Sequence, residues 1–279
     1  MTLGGIFRWS LFAGSVLFFF TLPLALLWDR SGLVVGGLCA VSFLFCVGFK
    51  AEQRIAKRLG LNPLTTAEAP FVHTAVTEYC RRLGIPVPRL ALMETPAINL
   101  AIFGRRFKNS CLAITRGALQ RLEREQLFAL IGRELTYLWF GEVFCQTWMS
   151  QFFSTIDYIV TPSIARPRRS YPFKIFLRQV LLFPLTLLPT YFLKSRRESS
   201  FFDLKSIRIT RKPKALAEGL RRIEATEQRT PLQVPFSARH LFLISPVAQD
   251  PLARMFFRTE DLPVRIKLAE NLREVVSLT

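Results

Sequence analysis

Histidine is nearly missing from this chain: there are two in 279 residues, His73 and His240, far apart in sequence. No Cys-x-x-Cys occurs, and the five cysteines (Cys39, Cys46, Cys80, Cys111 and Cys145) are odd in number and irregularly spaced. A His/Cys zinc site therefore cannot be assembled from local motifs. The same cysteine pattern argues against a disulfide framework and for a reducing compartment around any soluble part. Acidic residues are scarce too, 20 Asp and Glu against 38 Lys and Arg, a net charge of +18. No aromatic-basic module or zinc-finger spacing accompanies that excess, so nucleic acid is not the expected partner. The charge reads instead as positive-inside topology and attraction to anionic lipid headgroups.

Apolar residues are what the chain has in plenty: 50% of it is hydrophobic, with 26 Phe, and the mean hydropathy is +0.27. Trp9 to Trp28 carries no charge and is long enough to cross a bilayer. Asp29-Arg30 makes a neutral turn, and Ser31 to Phe49 gives a second span rich in small residues that permit close helix contact. Arg8 and Lys50 flank the pair, so both ends of this hairpin are expected in the cytoplasm. Thr65-Thr66-Ala67-Glu68 reads as a helix start, with the helix stopping at Gly84. Arg89 to Met93 and Cys111 to Thr115 read as strands. Val143 to Ala165 and Gln179 to Leu193 form a second apolar pair, joined by the basic Arg166–Arg169. Gln146, Gln151 and Asp157 make its first member a poor lipid-facing helix. This pair is read as spanning, with a re-entrant or partly inserted hairpin left open. Helices are expected over Pro213–Glu227 and Leu262–Leu272.

One stretch organises the rest. Leu127, Leu130, Ile131, Glu134 and Leu138 share a stripe at helical spacing, which places Glu134 on a buried face. A carboxylate there needs a partner. A zinc-peptidase helix carries His-Glu-x-x-His, two ligands one turn apart with the general base between them. Here the two ligand positions are Arg133 and Tyr137, and only Glu134 stands where that motif has it.

The order of segments resembles the HtpX-type membrane zinc metallopeptidases, relatives of the CAAX prenyl endopeptidases. Their Pro-x-x-Asn-Ala-Phe run is matched by Pro96 to Ala101, including Asn99. Their strand ending in Thr-x-Gly-Leu-Leu is matched by Ile114 to Leu119. Their His-Glu-Leu-Ala-His-Ile-x-Asn-Gly-Asp is matched by Arg133 to Glu142, with Glu134, Leu135, Gly141 and an acidic Glu142 in register. His-Leu-Phe is matched by His240 to Phe242, and the terminal Arg-Ile-x-x-Leu by Arg265 to Leu268. In the family a Ser-Arg-x-x-Glu-x-x-Ala-Asp run supplies the third zinc ligand. Counting back from Asp203 puts Ser199 at that position, whereas counting forward from Arg197 puts Glu198 there. The terminal Thr-His has become Thr259-Glu260.

The resemblance implies a mainly α, membrane-anchored α+β fold: a zincin-like domain with an N-terminal transmembrane hairpin (1–50). The domain is split into 51–142 and 195–279 by a second membrane hairpin (143–194). It implies zinc in the family, but both His ligands are absent here, so no metal is expected. Arg cannot be deprotonated to ligate zinc. Glu134 is then a vestigial catalytic position, and Arg133, Tyr137 and Ser199 or Glu198 are former ligand positions. Arg133 is expected to pair with Glu134, Glu142 or Glu198 in place of the metal's charge. Asn99, Cys111, Glu142, Asp203, His240 and Arg265 are the cleft candidates. Function is expected to be that of a pseudoprotease in a bacterial inner membrane, multi-pass with a cytoplasmic domain. It would bind membrane proteins or peptides by strand addition beside Cys111–Thr115, with an active paralogue or a homo-oligomer as further partners. The alternative is an active metalloendopeptidase with a remodelled carboxylate metal site.

Overall fold

The computed structural model describes residues 3–160, 191, 198–246 and 262–276. The first apolar run forms one helical trace, α1 (Leu3–Gly48), broken at Trp28 (φ −134°, ψ 21°) and Asp29 (φ 47°, ψ −127°). Asp accepts a positive φ more readily than most residues, and the chain reverses there, one residue before the turn expected from sequence. The two legs lie in contact. A side chain at Gly32 would collide with the Leu24 carbonyl, and one at Gly36 with the backbone of Phe20 and Thr21. Outward-facing Leu26 is 79% exposed and Phe45 66%, a surface suited to lipid and not to water. By length and composition α1 is able to cross a membrane. The helix α2 (Ala51–Arg58) follows a left-handed Lys50, and Arg54 Nη2 donates to the Cys46 and Val47 carbonyls that end the second leg.

A four-stranded sheet follows α2. β1 (Leu61–Pro63), β2 (Arg89–Met93), β3 (Leu100–Gly104) and β4 (Ser110–Thr115) are ordered β1-β2-β4-β3. Only β2 and β4 run parallel; the outer pairs are antiparallel. β4 is therefore an inner strand with a neighbour on each side. Strand addition beside Cys111–Thr115, as expected from sequence, has no free edge to use there. The outer edge of β3 is itself partly taken: Ala101 bridges Phe242 and Leu243 N donates to Leu100 O at 2.8 Å.

The helix α3 runs over Pro70–Leu83. The Thr65–Glu68 box expected to start it closes a separate turn, with Thr65 N donating to Glu68 Oε2 at 3.1 Å. Pro70 lacks an N–H and suits the first helical position, so the helix begins after that turn. Thr115 ends β4 and caps α4 (Arg116–Arg121) by accepting from Ala118 N. The central helix α5 (Arg124–Trp139) opens with a Glu123/Gln126 capping box. It buries Leu130, Ile131 and Leu135 among Val76 and Tyr79 of α3, Ile102 and Ile114 of the sheet, and Leu216 and Leu220. Gly141 at φ +74° turns the chain into α6 (Glu142–Val160), a bend that a side chain would strain.

Helix α6 packs on α1 through aromatic rings: Phe12 to Phe152 at 5.4 Å and Phe43 to Phe152 at 5.8 Å between centroids. Of the second apolar pair, only this helix is described. The Asp157 side chain, Arg166–Arg169, Gln179 to Leu193 except residue 191, and Thr259-Glu260 lie outside the described residues, and with them the choice between a spanning and a re-entrant hairpin. The chain resumes in α7 (Ser199–Thr210), α8 (Pro213–Arg229), a 3₁₀ turn at Phe236–Leu241 and α9 (Leu262–Val276). α7 and α8 pack on α5, and α9 on both α7 and α8.

Candidate functional site

The stripe of α5 that carries Glu134 faces α7 and the start of α9. Four charged side chains meet there. Arg133 Nη1 lies 2.6 Å from Glu134 Oε1, and its Nε lies 3.3 Å from Asp203 Oδ1. Arg265 grips Asp203 from the other side, Nε to Oδ2 at 2.7 Å and Nη2 to Oδ1 at 3.0 Å, a two-point contact that matches guanidinium to carboxylate. The group is closed to solvent: Asp203 is 0% exposed, Glu134 1%, Arg265 2% and Arg133 5%. Successive residues on a helix point about 100° apart, so Arg133 reaches back along its stem to meet its neighbour. Its guanidinium lies over the rings of Tyr137 (5.3 Å) and Phe202 (5.9 Å), and those two rings meet edge to face at 4.7 Å. Flat cation faces stack well on such rings.

Burial opposes the Arg133 charge, but the Glu134 and Asp203 carboxylates outweigh it and hold the guanidinium above its ordinary value. Burial also raises the Glu134 carboxyl, against the pull of Arg133 and Arg265. The second direction favours a neutral acid and the first a full ion pair. The 2.6 Å contact and the balance of two guanidinium groups against two carboxylates favour the ionised form.

No family model matches the chain. It is similar along most of its length to curated proteins named protease HtpX homolog. That of Pelotomaculum thermopropionicum is 25% identical, covering 74% of this chain and 76% of the relative. That of Nostoc punctiforme is 27% identical, covering 81% of each, and that of Pyrococcus abyssi 26%, covering 90% and 89%. This chain is thus similar to the HtpX protease type along most of its length. Among solved structures, the crystal structure of S. mikatae Ste24p aligns with a TM-score of 0.49 at 12% identity, over 92% of this chain and 62% of that one. The likeness to proteins named protease HtpX homolog goes with a long apolar N-terminal segment able by length and composition to cross a membrane.

Zinc in such a family needs deprotonated nitrogen, sulfur or carboxylate donors around one point. The donors of this chain do not fit it. The permanently charged Arg133 guanidinium engages both nearby carboxylates. Burial pushes the Tyr137 hydroxyl above the ordinary value, so it does not supply a phenolate. Ser199 opens α7 one turn before Asp203, on the same face of the helix. Glu198 is the residue before the helix and is exposed. Asp203 faces the site, and of the two candidates Ser199 is the one on its side of the helix. Among the described residues no three His, Cys, Asp or Glu side chains gather around a point.

The structure brings Arg133, Glu134, Asp203 and Arg265 together and separates the other candidates. Arg133 pairs with Glu134 as expected, but not with Glu142 or Glu198. Glu142 at the start of α6 binds Arg8 Nη2, near the start of α1, at 2.7 Å, a pair largely closed to solvent. Asn99 is buried and ties a different segment: its Nδ2 donates to Ile244 O at 2.8 Å, and its Oδ1 accepts from Leu100 N and Ile244 N. Cys111 lies in the core, where burial pushes its thiol up to about 11; such a thiol is inert. The His240 ring lies 3.0 Å from the Gln146 carbonyl, with its pKa pushed down to about 4 by burial. Sequence reasoning missed Phe202 and the pairing of Arg8. The signal for Phe202 was its place beside Asp203, one residue from the family motif's acid.

Proposed function

We propose that this chain is a proteolytically inactive member of the HtpX type: a pseudoprotease that holds membrane proteins or peptides without cutting them. We place it in a bacterial inner membrane with its sheet-bearing part in the cytoplasm. One observation carries the reading. The Arg133 guanidinium lies between Glu134 and Asp203, so the family's general-base position is bound to a fixed cation instead of standing over a metal-bound water. A general base needs a free lone pair within reach of the proton it takes, and here that oxygen is engaged at 2.6 Å. A carboxylate metal site built on Glu134, Glu142, Glu198 or Asp203 finds little support. Glu142 and Asp203 are already paired with arginines.

The proposed partner contact differs from strand addition at β4. Phe242 and Leu243 cover part of the β3 edge, so an extended peptide would first displace them. The apolar outer face of the α1 hairpin is the more open surface for a membrane protein, an active paralogue or a second copy of the chain. The test uses the purified full chain: zinc content together with cleavage of casein and of a membrane substrate, beside a Glu134→Gln control. The expected result is zinc far below one per chain and no difference from the control. Stoichiometric zinc with cleavage that Glu134→Gln abolishes would overturn the proposal.

A further inference from the structure

A cavity of about 560 Å³, within the usual range for ligand sites, lies where three parts of the chain converge. Ile6 and Trp9 of α1 form one wall. Leu138, Val143 and Phe144, on either side of the Gly141 turn, form another. The turn after β3 closes it with Arg105, Arg106 and Phe107. The walls are therefore apolar and the basic groups come from one side.

The depth of this cavity follows from the sequence. Trp9 opens the uncharged run of the first leg, and Arg8 precedes it. Aromatic residues favour the level where hydrocarbon meets headgroups. The cavity thus opens at that level, beside Ile6 and Phe7, which are exposed and continue into the apolar outer face of α1. The two arginines differ. Arg105 is half-buried and spent on Glu52, Nε to Oε2 at 2.9 Å. Arg106 is exposed and its side chain makes no ion pair or hydrogen bond among the described residues, and Lys108, two residues on, is exposed as well. An apolar cavity with a spare cation at its mouth, open at headgroup depth, complements a molecule with an acyl chain and an anionic head.

We infer that this cavity binds one anionic phospholipid, an acyl chain against Trp9, Val143 and Phe144 and the phosphate at Arg106. The inference rests on reading the α1 hairpin as membrane-embedded. A zwitterionic head would bring its ammonium group towards Arg106 and Lys108, while Glu52, the acid paired with neighbouring Arg105, is already engaged. The bound lipid would touch α1, the β3–β4 turn and the α5–α6 turn at once, and so join the hairpin to the sheet-bearing part.

The full chain is reconstituted in nanodiscs of equal phosphatidylglycerol and phosphatidylcholine, and the lipids it retains on release are counted by native mass spectrometry. The expected result is one retained lipid per chain. Phosphatidylglycerol should be favoured about five-fold, the preference given by one cation near an anionic surface. Arg106→Glu should abolish that preference with no change in melting temperature. Ile6→Trp, which fills the cavity from its exposed wall, should lower retention of both lipids. Equal retention of the two lipids by the wild type, or a preference unchanged in Arg106→Glu, overturns the lipid site and leaves the membrane hairpin standing. Failure of the wild type to enter the discs overturns both.

Discussion

Arg133 does electrostatically what a metal ion does in a metallopeptidase: it lets carboxylates stay charged out of water. Taking a charge from water into a protein interior costs several kcal/mol, recovered only when the partners are close and well aligned. Arg133→Ala leaves Glu134 buried without a cation in contact and removes one of the two guanidinium groups on Asp203. The expected loss is about 3–5 kcal/mol, read as a large fall in melting temperature of the full chain in detergent. Arg133→Met with Glu134→Gln removes the stranded charge along with its partner and should recover a good part of that loss. A melting temperature unchanged in Arg133→Ala would contradict the role assigned to this residue. Part of this arrangement was legible from sequence. A carboxylate on an apolar helical stripe demands a partner, and Arg133 is its neighbour. The rest depended on contacts over 62 to 134 residues, which no local pattern encodes. Glu142 looked as available as Asp203 until Arg8 was seen to occupy it.

At the scale of elements, the sequence named most of them and placed one edge wrongly. Alternation and capping residues locate β2, β4, α5 and α8, because those signals are local. They do not say which strand lies inside the sheet, which is why Cys111–Thr115 passed for an open edge. β1, three residues long, has too little sequence to show a period at all. The segment Phe242–Ile244 is held on β3 by one ladder bond, one bridge and the Asn99 side chain. Asn99 serves as a two-way clamp, donating to and accepting from the same residue, Ile244. Asn99→Ala leaves the buried Ile244 carbonyl without that donor, a penalty of about 1–3 kcal/mol. The effect should be local opening rather than global unfolding, because the sheet and α5 keep their own contacts. Hydrogen exchange at Leu243 and Ile244 should therefore speed up by about five-fold or more in Asn99→Ala, with exchange in β4 nearly unchanged. Equal acceleration in both places would mean that Asn99 supports the whole domain instead.

On the scale of the molecule, the proposed loss of metal ligands is compatible with this fold because the charges at the site balance. Two guanidinium groups and two carboxylates sum to zero. This suggests a way to ask whether only the ligands have changed. Arg133→His with Tyr137→His and Ser199→Glu removes one positive charge and adds one negative charge. The site then holds three carboxylates and Arg265, a net of two negative charges that one zinc ion balances. The helices that would present those donors are already packed: α5 is fixed against the sheet, and Asp203 is fixed by Arg265 one turn after position 199. The triple variant should take up about one zinc per chain, the filling expected of a two-His, one-carboxylate site, and should melt higher with zinc than with chelator. Leaving out Ser199→Glu tests the register. Glu198 then has to serve as third ligand from the residue before α7, rotated by about 100° from position 199. The double variant should bind zinc far more weakly than the triple. Equal uptake by both would return the third ligand position to Glu198, and no uptake by either would show that the packing around the old metal point has closed along with the loss of the ligands.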